Sequence, residues 1–398
     1  MIRSGRRRAR TRARWAMAAV VALVLPAALL VAAGGIPARR AAPPPAAPAA
    51  PPPAPAPPAP AAPAPAPWSS ALLGTAPGPS APPAAPAAPA ARRDPRAGVA
   101  IPGHRLLYAD PGPDLDRVAA LGAGWVRFDA AWSEIEVARG TFDWSRLDRG
   151  VDAARARGLD VLLILGSTAI WARPPGTAWN HGPATAPQRA GFAAFATMAV
   201  QRYRGRVGHW EIWNEPNLPV AWSPAPDPDA YAALLAETYR AIHAADPDAV
   251  VLSGGTGGGA TGVPTLDWYR ALYDRGLRDA CDAVAVHPYP DAPAPDSGEM
   301  ATAREVRALM DANGDGATTL WGTETGAPTG GRPSIGESAQ ADLLPDLYAL
   351  WTGEIPGTGP LLYYTLRDFG GADREGHFGL LRADGTRKPA YDSFRSRG

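Results

Sequence analysis

The sequence predicts a closed barrel of eight parallel β-strands, each followed by an α-helix, over residues 97–398. Short apolar runs alternate with amphipathic stretches eight times over, and strict alternation of strands and helices produces a parallel sheet. The alternating part is about 300 residues long, which suits a (β/α)8 barrel better than a smaller domain. These two observations place the chain in the α/β class.

A doubly wound open sheet is the alternative arrangement of such strands and helices. It should carry a glycine-rich phosphate turn after its first strand, and GVAIPGHR at 98–105 is not one. The glycine run SGGTGGGATG at 253–262 follows the fifth predicted strand and lacks the Lys-Ser/Thr pair of a phosphate-binding loop. It is interpreted as a flexible loop, and the closed barrel is favoured.

Apolar runs of four to nine residues mark the strands. The eight predicted strands are residues 98–101, 124–130, 160–166, 207–215, 249–255, 282–289, 318–324 and 360–368. Six predicted helices lie between them, at 144–158, 188–205, 227–245, 264–276, 297–313 and 338–352. Asp227 before Pro228 is typical of a helix N-cap, and Gly158, Gly205 and Gly276 are typical of residues that follow a helix.

The first 96 residues predict an export segment and a linker. Seven arginines between Arg3 and Arg14 precede an apolar run of about 19 residues, the pattern of a cleaved signal peptide or of a signal anchor. We assign residues 1–40 to this segment, and both forms stay open. Residues 41–96 are rich in Pro and Ala, which favours an extended, disordered linker. The body is therefore expected outside the cytoplasm, secreted or tethered to the membrane or wall by its N-terminal segment.

The formal net charge of +1 conceals an acidic body. Residues 97–398 contain 27 basic and 37 acidic residues, a net charge of −10. Such a body repels phosphate backbones, so no nucleic-acid partner is expected. Cys281 is the only cysteine, which excludes an internal disulfide, and it is expected to be a small core residue.

Two carboxylates end strand-like runs that lie far apart in the chain. Glu215 ends the fourth predicted strand in VGHWEIWNEPN at 207–217, and Glu324 ends the seventh in TTLWGTETG at 318–326. The carboxyl ends of barrel strands face the active site, so the two should meet there. Hydrolysis of a glycosidic bond needs one carboxyl that donates a proton to the leaving oxygen and one ionised carboxylate at the anomeric carbon. A structural cap is the alternative role for Glu215.

The same rule brings Arg127, Asn214, His287, Tyr289 and Tyr364 to the mouth of the barrel. This set suits a neutral polyol with a positively charged transition state. It lacks the His and Asp clustering of a catalytic metal site, so neither a metal nor an organic cofactor is expected. Tryptophans on the loops after strands two, three and four are candidates for stacking on sugar rings: Trp132, Trp171, Trp179 and Trp222.

Together these motifs resemble the clan A glycoside hydrolases, most nearly family 39 and next the cellulase-like proteins of family 5. The resemblance covers residues 97–398 and depends on four stretches: WVRFDAAWSEIE at 125–136, EIWNEPN at 211–217, HPYP at 287–290 and GTETG at 322–326. It implies Glu215 as the acid/base and Glu324 as the nucleophile of a retaining double displacement. The two carboxyl groups should then lie ~5–5.5 Å apart.

The resemblance also implies roles for the neighbouring side chains. Asn214 would bind the sugar 2-hydroxyl, and His287 and Tyr289 would position the two glutamates. Arg127 would favour the ionised nucleophile, since an opposite charge lowers a carboxyl pKa. Two positions depart from the family pattern. Tyr364 stands where a sugar-stacking Trp is usual, and LGSTAIWA at 165–172 lacks the His of many family 5 relatives, so the subsite nearest the scissile bond should have an unusual shape.

The resulting prediction is an exported, monomeric hydrolase of β-glycosidic bonds in an oligo- or polysaccharide, with a membrane contact only through an uncleaved N-terminal segment. A transglycosidase that passes the same covalent intermediate to another sugar is one alternative. A non-catalytic glycan-binding barrel displayed at the cell surface is another, although a pure binder does not need both Glu215 and Glu324.

Overall fold

The computed structural model describes residues 93–397 with the exception of Ala260, and these form one closed eight-stranded barrel. The strand order is β1-β2-β3-β4-β5-β6-β7-β8, with every neighbouring pair parallel and β8 pairing with β1. The predicted fold class is confirmed. The predicted export segment at 1–40 and all but the last residues of the predicted linker at 41–96 lie outside the described residues. None of the described helices is both long and apolar enough to cross a membrane.

The eight strands agree with the eight predicted runs. They are β1 (Asp94–Ala100), β2 (Ala123–Ala131), β3 (Asp160–Gly166), β4 (His209–Ile212), β5 (Val250–Ser253), β6 (Ala283–Val286), β7 (Thr319–Thr325) and β8 (Thr358–Tyr364).

Ten α-helices surround the strands within the described part of the chain. They are α1 (Gly103–Leu106), α2 (Gly112–Ala120), α3 (Trp132–Ile135), α4 (Ser145–Ala156), α5 (Ala186–Tyr203), α6 (Pro228–Ala245), α7 (Thr265–Tyr273), α8 (Gly298–Ala312), α9 (Glu337–Gly353) and α10 (Pro389–Arg395). The six predicted helices correspond to α4 to α9, and α1, α2, α3 and α10 are additions.

The predicted helix ends are found in the structure. The Asp227 side chain accepts hydrogen bonds from the backbone N–H groups of Asp229 and Ala230, each at 3.0 Å, at the start of α6. This satisfies two of the donors that a helix N-terminus leaves unpaired. Gly158, just after α4, has a φ of 62°, a left-handed conformation that suits glycine.

The apolar side chains form two separate regions. The larger lies between the strands and the helices and includes Cys281, which is buried as predicted. The smaller fills the inside of the barrel and consists of Ala100, Trp125, Leu162, Leu252, Ala283, Ala285, Trp321 and Leu362. Alternate residues of a strand point to the same face, so Arg127, two residues after Trp125 on β2, also points inward and is buried. The inner apolar cluster therefore forms the floor beneath a polar site at the carboxyl ends of the strands.

Candidate active site

Glu215 and Glu324 meet at a shared histidine. Oε1 of Glu215 lies 3.1 Å from Nδ1 of His287, and Oε2 of Glu324 lies 3.7 Å from the same nitrogen. His287 is fully buried, whereas the Glu324 side chain is 13% exposed. The barrel thus brings together the two carboxylates predicted from the strand ends, and a ligand can still reach Glu324 from the solvent.

A strained turn after β4 presents Glu215 to the site. β4 ends at Ile212, and Trp213 and Glu215 then adopt φ angles of 72° and 47°. Positive φ is uncommon for residues other than glycine and is found preferentially at functional sites. The loop after β5 and strand β3 hold the turn, since Glu215 N–H donates to the Gly255 carbonyl at 2.9 Å and Trp213 N–H to the Leu165 carbonyl at 2.8 Å.

Glu324 points into the barrel because the pairing of β7 with β8 is irregular. The register shifts between Gly322 and Thr325. In a regular strand, adjacent side chains point to opposite faces. Here Thr323 donates to a buried carboxylate inside the barrel at 3.1 Å, and the next residue, Glu324, also faces the interior. The Tyr289 hydroxyl donates to Oε2 of Glu324 at 2.8 Å.

Arg127 connects the nucleophile candidate to a carboxylate that the sequence analysis missed. Its guanidinium forms a two-point ion pair with buried Glu211, with Nε–Oε2 at 2.6 Å and Nη2–Oε1 at 3.0 Å. This fixes the guanidinium so that Nη1 reaches Glu324 at 2.5 Å and Nη2 reaches Oδ1 of Asn214 at 2.8 Å. Glu211 also accepts from Gly255 N–H at 2.9 Å. Paired arginines of this kind are strongly oriented, so Glu211 sets the position of Arg127.

Glu324 is surrounded by groups that favour its ionised form. Burial alone would raise its pKa, but the charges of His287 and Arg127 and the hydrogen bonds from Tyr289 and Arg127 together hold the pKa of Glu324 below its ordinary value. Burial would lower the pKa of His287, but the two neighbouring glutamates raise it above its ordinary value. Burial and the charge of Glu324 raise the pKa of Tyr289 well above its ordinary value, so Tyr289 remains a donor.

Glu215 has a different environment. Among the described side chains, only His287 forms a hydrogen bond with its carboxyl group. Asn214 is partly exposed, and Arg127 occupies its Oδ1, which leaves its Nδ2–H donors for a ligand oxygen. Glu324 therefore accepts hydrogen bonds from two side chains, Arg127 and Tyr289, and Glu215 is paired with a single imidazole.

Two further groups border the site at β8. Tyr364 is partly exposed, and burial followed by the charge of Glu324 raises its pKa well above the ordinary value. Glu375 lies in the loop after β8. Burial is the main cause that raises the pKa of Glu375 to about 7. The charge of Arg374 opposes this increase, and the charges of Glu215 and Glu324 add to it. No pattern around Glu375 predicts this carboxyl. Across residues 93–259 and 261–397, no three His, Cys, Asp or Glu side chains are grouped as metal ligands.

The structure corrects the prediction that Trp132 stacks on a sugar. Trp132 is fully buried, packs 5.4 Å from Trp171 and 6.1 Å from Phe195 between ring centroids, and donates from Nε1 to Glu136 at 2.6 Å. Trp222 is buried as well. A ring enclosed on both faces cannot bind a sugar face, so these two residues are core.

Trp171 and Trp179 are partly exposed. Both therefore remain candidates for stacking on a sugar ring. The Trp171 ring packs nearly perpendicular to that of Trp132, and the Arg139 guanidinium lies 5.1 Å from the Trp171 ring centroid. A role of Trp171 or Trp179 in sugar stacking stays a prediction.

The Tyr289→Phe variant is expected to lower kcat/KM at neutral pH by roughly 10- to 100-fold, since a hydrogen bond to a charged group is lost. Without this donor the pKa of Glu324 rises. Because the nucleophile role predicted for Glu324 needs the ionised carboxylate, the acidic limb of the kcat/KM profile should move to higher pH. The measurement is a pH–rate profile of parent and variant.

Tyr348→Phe is the matched control for Tyr289→Phe. The Tyr348 hydroxyl donates to the Leu361 carbonyl at 3.1 Å in the core, so this variant also loses one buried hydrogen bond, but away from the carboxylates. Its acidic limb should stay where the parent's is. An unmoved limb in Tyr289→Phe would show that Tyr289 does not act on the ionisation of Glu324.

Comparison with known proteins identifies related sequences and structures. The family model described as Cellulase (glycosyl hydrolase family 5) matches residues 112–328, more than half of the chain. A family 39 glycoside hydrolase from Bacteroides cellulosilyticus WH2 has a similar structure, with a TM-score of 0.67 and 26% identity over 78% of this chain and 65% of that one. The comparisons thus include both families that the sequence motifs resemble, family 5 in the family model and family 39 among the similar structures. None of the curated proteins matches the chain.

Two more solved structures share the fold. A family 39 (GH39) enzyme from Xanthomonas axonopodis pv. citri has a TM-score of 0.59 and 23% identity, covering 78% of this chain and 67% of that one. A monomeric β-xylosidase from Caulobacter crescentus CB15 has a TM-score of 0.58 and 22% identity, covering 75% and 67%. The chain thus spans about two thirds of the length of these relatives.

Proposed function

The chain belongs to the cellulase family, glycosyl hydrolase family 5, and from this premise we propose that it is a retaining hydrolase of β-glycosidic bonds in an oligo- or polysaccharide. One observation carries the proposal. Two carboxylates share Nδ1 of His287, and only one of them, Glu324, is also bound by Arg127 and Tyr289. The site therefore contains one carboxylate whose neighbours favour its ionised form beside a second carboxyl group that Arg127 and Tyr289 do not bind, and double displacement uses such an unlike pair.

The spacing of the carboxylates favours retention over inversion. Retaining enzymes hold their two carboxyl groups ~5–5.5 Å apart, and inverting enzymes ~6.5–9.5 Å apart to admit a water molecule. The two nearest oxygens of Glu215 and Glu324 lie 3.1 and 3.7 Å from a single nitrogen. The distance between these two oxygens is therefore at most the sum of the two values, which is shorter than most of the inverting range and supports retention.

In the first step, an oxygen of Glu324 attacks the anomeric carbon from the face opposite the leaving group. The glycosidic C–O bond breaks as Glu215 transfers its proton to the leaving oxygen, and a covalent glycosyl-enzyme forms. In the second step Glu215, now ionised, takes a proton from water while the water oxygen attacks the same carbon and displaces Glu324. Two inversions return the β configuration.

The neighbouring groups stabilise charge at each stage. Arg127 and Tyr289 hold the attacking oxygens of Glu324 in one orientation, and such preorganised donors contribute strongly to catalysis. The free Nδ2–H of Asn214 is the donor for the sugar 2-hydroxyl, an interaction that strengthens in the transition state. His287 lies between the two carboxyl groups, so its charge faces Glu324 while Glu324 is ionised and faces Glu215 once Glu215 has given up its proton.

Export forms part of the proposal. The arginine-rich start and apolar run of residues 1–40 support passage out of the cytoplasm, and the Pro- and Ala-rich segment supports display at a distance from a membrane or wall. A polysaccharide substrate agrees with this location, because such polymers are encountered outside the cell.

The function is tested by hydrolysis of a panel of 4-nitrophenyl β-glycosides and of soluble β-glucans, xylans and mannans by the full-length protein. The β-xylosidase from Caulobacter crescentus among the similar structures makes β-xylosides the first substrates to try. We expect turnover of at least one β-glycoside and release of reducing sugar.

Two outcomes would select the alternatives. Release of the aryl group with longer oligosaccharides as the main product would identify a transglycosidase. A parent that is inert towards the whole panel yet binds a glycan equally well after replacement of Glu215 and Glu324 by glutamine would be a glycan-binding barrel.

A further inference from the structure

Asn217, two residues after Glu215, holds the glycine-rich loop that follows β5. Its side chain is fully buried. Oδ1 of Asn217 accepts a hydrogen bond from Gly257 N–H at 3.1 Å, and Nδ2 donates to the Gly257 carbonyl at 2.7 Å. Nδ2 also donates to the Val263 carbonyl at 2.9 Å, and the Asn217 carbonyl accepts from Val263 N–H at 2.9 Å. Asn217 thus pairs with both backbone groups of Gly257 and with both of Val263.

Gly257 lies directly against the carboxyl group of the proposed acid/base. A Cβ atom added at Gly257 would come 2.3 Å from Oε1 and 2.7 Å from Cδ of Glu215, so only a residue without a side chain fits beside this carboxyl group. Oε1 is also the oxygen that lies 3.1 Å from Nδ1 of His287. The glycine run predicted to be a flexible loop therefore provides close packing against Glu215 at this residue.

We propose that Asn217 and Gly257 are positioning residues that set the orientation of the Glu215 carboxyl group for proton transfer. Among the described side chains, only His287 forms a hydrogen bond with this carboxyl group, and one such bond does not prevent rotation about it. The Gly257 backbone occupies space into which the carboxyl group would otherwise turn. Asn217 keeps Gly257 in place, because a shift of the loop would leave buried amide groups unpaired.

This inference rests on the proposed function, in which Glu215 donates a proton to the leaving oxygen. The rate of proton transfer depends on hydrogen-bond distance and direction, so a small displacement of the donor is costly. The cost should appear with leaving groups that need a proton and be absent with those that depart without one. A general loss of structure would instead affect both kinds of leaving group.

The first test is the Gly257→Ala variant of the full-length protein. The added methyl group would meet the ends of two flexible side chains, Glu215 and Leu218, so the carboxyl group should move while the fold is kept. For aryl β-glycosides with weakly acidic leaving groups, kcat/KM should fall by roughly 10- to 100-fold. For the 2,4-dinitrophenyl β-glycoside, kcat/KM should stay close to that of the parent.

Gly258→Ala is the matched control for Gly257→Ala. A Cβ atom added at Gly258 would lie 2.7 Å from Cγ of Glu299. The same substitution one residue later is therefore expected to displace a different side chain. Its dependence of kcat/KM on leaving-group acidity should equal that of the parent.

The Asn217→Ala variant tests the hydrogen bonds that hold Gly257, and it should show the same selective loss for weakly acidic leaving groups. Gln340→Ala is its control. Gln340 is also a buried amide, and its Nε2 donates to the carbonyls of Ala327 at 2.9 Å and Phe378 at 3.3 Å in the loops after β7 and β8. Both variants should lower Tm, but Gln340→Ala should not change the dependence on leaving-group acidity.

The outcomes separate this inference from the function on which it rests. If the parent cleaves no β-glycoside, both fail together. If the parent is active but Gly257→Ala loses the same factor for strongly and weakly acidic leaving groups, or none for either, the inference alone fails. Combined with Glu215→Ala, Gly257→Ala should have little further effect, because both act on the same carboxyl group. A large further loss in the double variant would show that the loop acts on another part of the site.

Discussion

The Glu324→Ala variant is expected to lose roughly 10⁴-fold or more in kcat, because no other described carboxylate is both held by Arg127 and Tyr289 and close to the proton donor. In the proposed mechanism the substitution removes the atom that forms the covalent bond, and the side chain is partly exposed, so the fold should survive. The measurement is kcat for the preferred aryl β-glycoside.

The configuration of the product that Glu324→Ala forms with azide tests the role of Glu324. A small anion can enter the space left by the carboxylate and attack the anomeric carbon of an activated β-glycosyl fluoride from the nucleophile's face. One displacement inverts the configuration, so the product should be the α-glycosyl azide. Retention of a tenth or more of the parent's kcat, with no response to azide, would exclude Glu324 as the nucleophile.

The Glu215→Ala variant is expected to lose about 10²- to 10⁴-fold in kcat/KM for substrates with poor leaving groups, since these depend on proton donation. For substrates with good leaving groups, the variant should keep most of the parent's rate of the first step, because departure of these groups does not need a proton. The covalent intermediate would then accumulate, because the variant lacks the base that activates water, and KM should fall with kcat. The measurement is kcat/KM of parent and variant for a series of aryl β-glycosides with leaving groups of different acidity.

The product with azide again distinguishes the role of Glu215. Azide should attack the glycosyl-enzyme from the side where water normally enters, which completes the second inversion and gives the β-glycosyl azide. Equal losses for good and poor leaving groups would instead indicate that Glu215 supports the structure of the turn after β4. Together the two variants assign the two carboxylates by the configuration of their products.

The strands of the barrel are predictable because each is a short apolar run between helix-forming stretches. The residues at which the strands end are harder to predict. The predicted fourth strand extends to Glu215, but β4 ends at Ile212 because Trp213 and Glu215 take positive φ angles. Backbone conformations of this kind depend on contacts with neighbouring segments, such as the hydrogen bond to Gly255 after β5. They leave no local pattern in the sequence. The direction of Glu324 likewise depends on a register shift in β7 that alternation does not reveal.

The proposed catalytic pair is predictable because two glutamates stand at the ends of separate strands, but the residues that position them are harder to identify. Glu211 lies within an apolar strand, and its partner Arg127 is 84 residues earlier in the chain. An acidic residue inside a buried strand was the available signal, since it needs a buried cation. Asn214 and His287 are found where the strand-end rule places them.

Loop residues are the least predictable part of the site. Trp132 is at the start of the four-residue α3, too short for a periodic pattern, and its ring packs into the core against α5. Glu375 borders the site from the segment after β8, whose course is fixed by tertiary contacts. The sequence around it gives no reason to select it over other glutamates.

The most direct test of the mechanism is to trap the covalent intermediate. The full-length parent would be incubated with the 2,4-dinitrophenyl 2-deoxy-2-fluoro-β-glycoside of its preferred sugar. The fluorine slows both steps, and the good leaving group lets the first proceed. Peptide mass spectrometry should then find one fluoroglycosyl group on Glu324. An adduct on Glu215 or another residue, or turnover of ordinary substrates without any adduct, would contradict double displacement through Glu324.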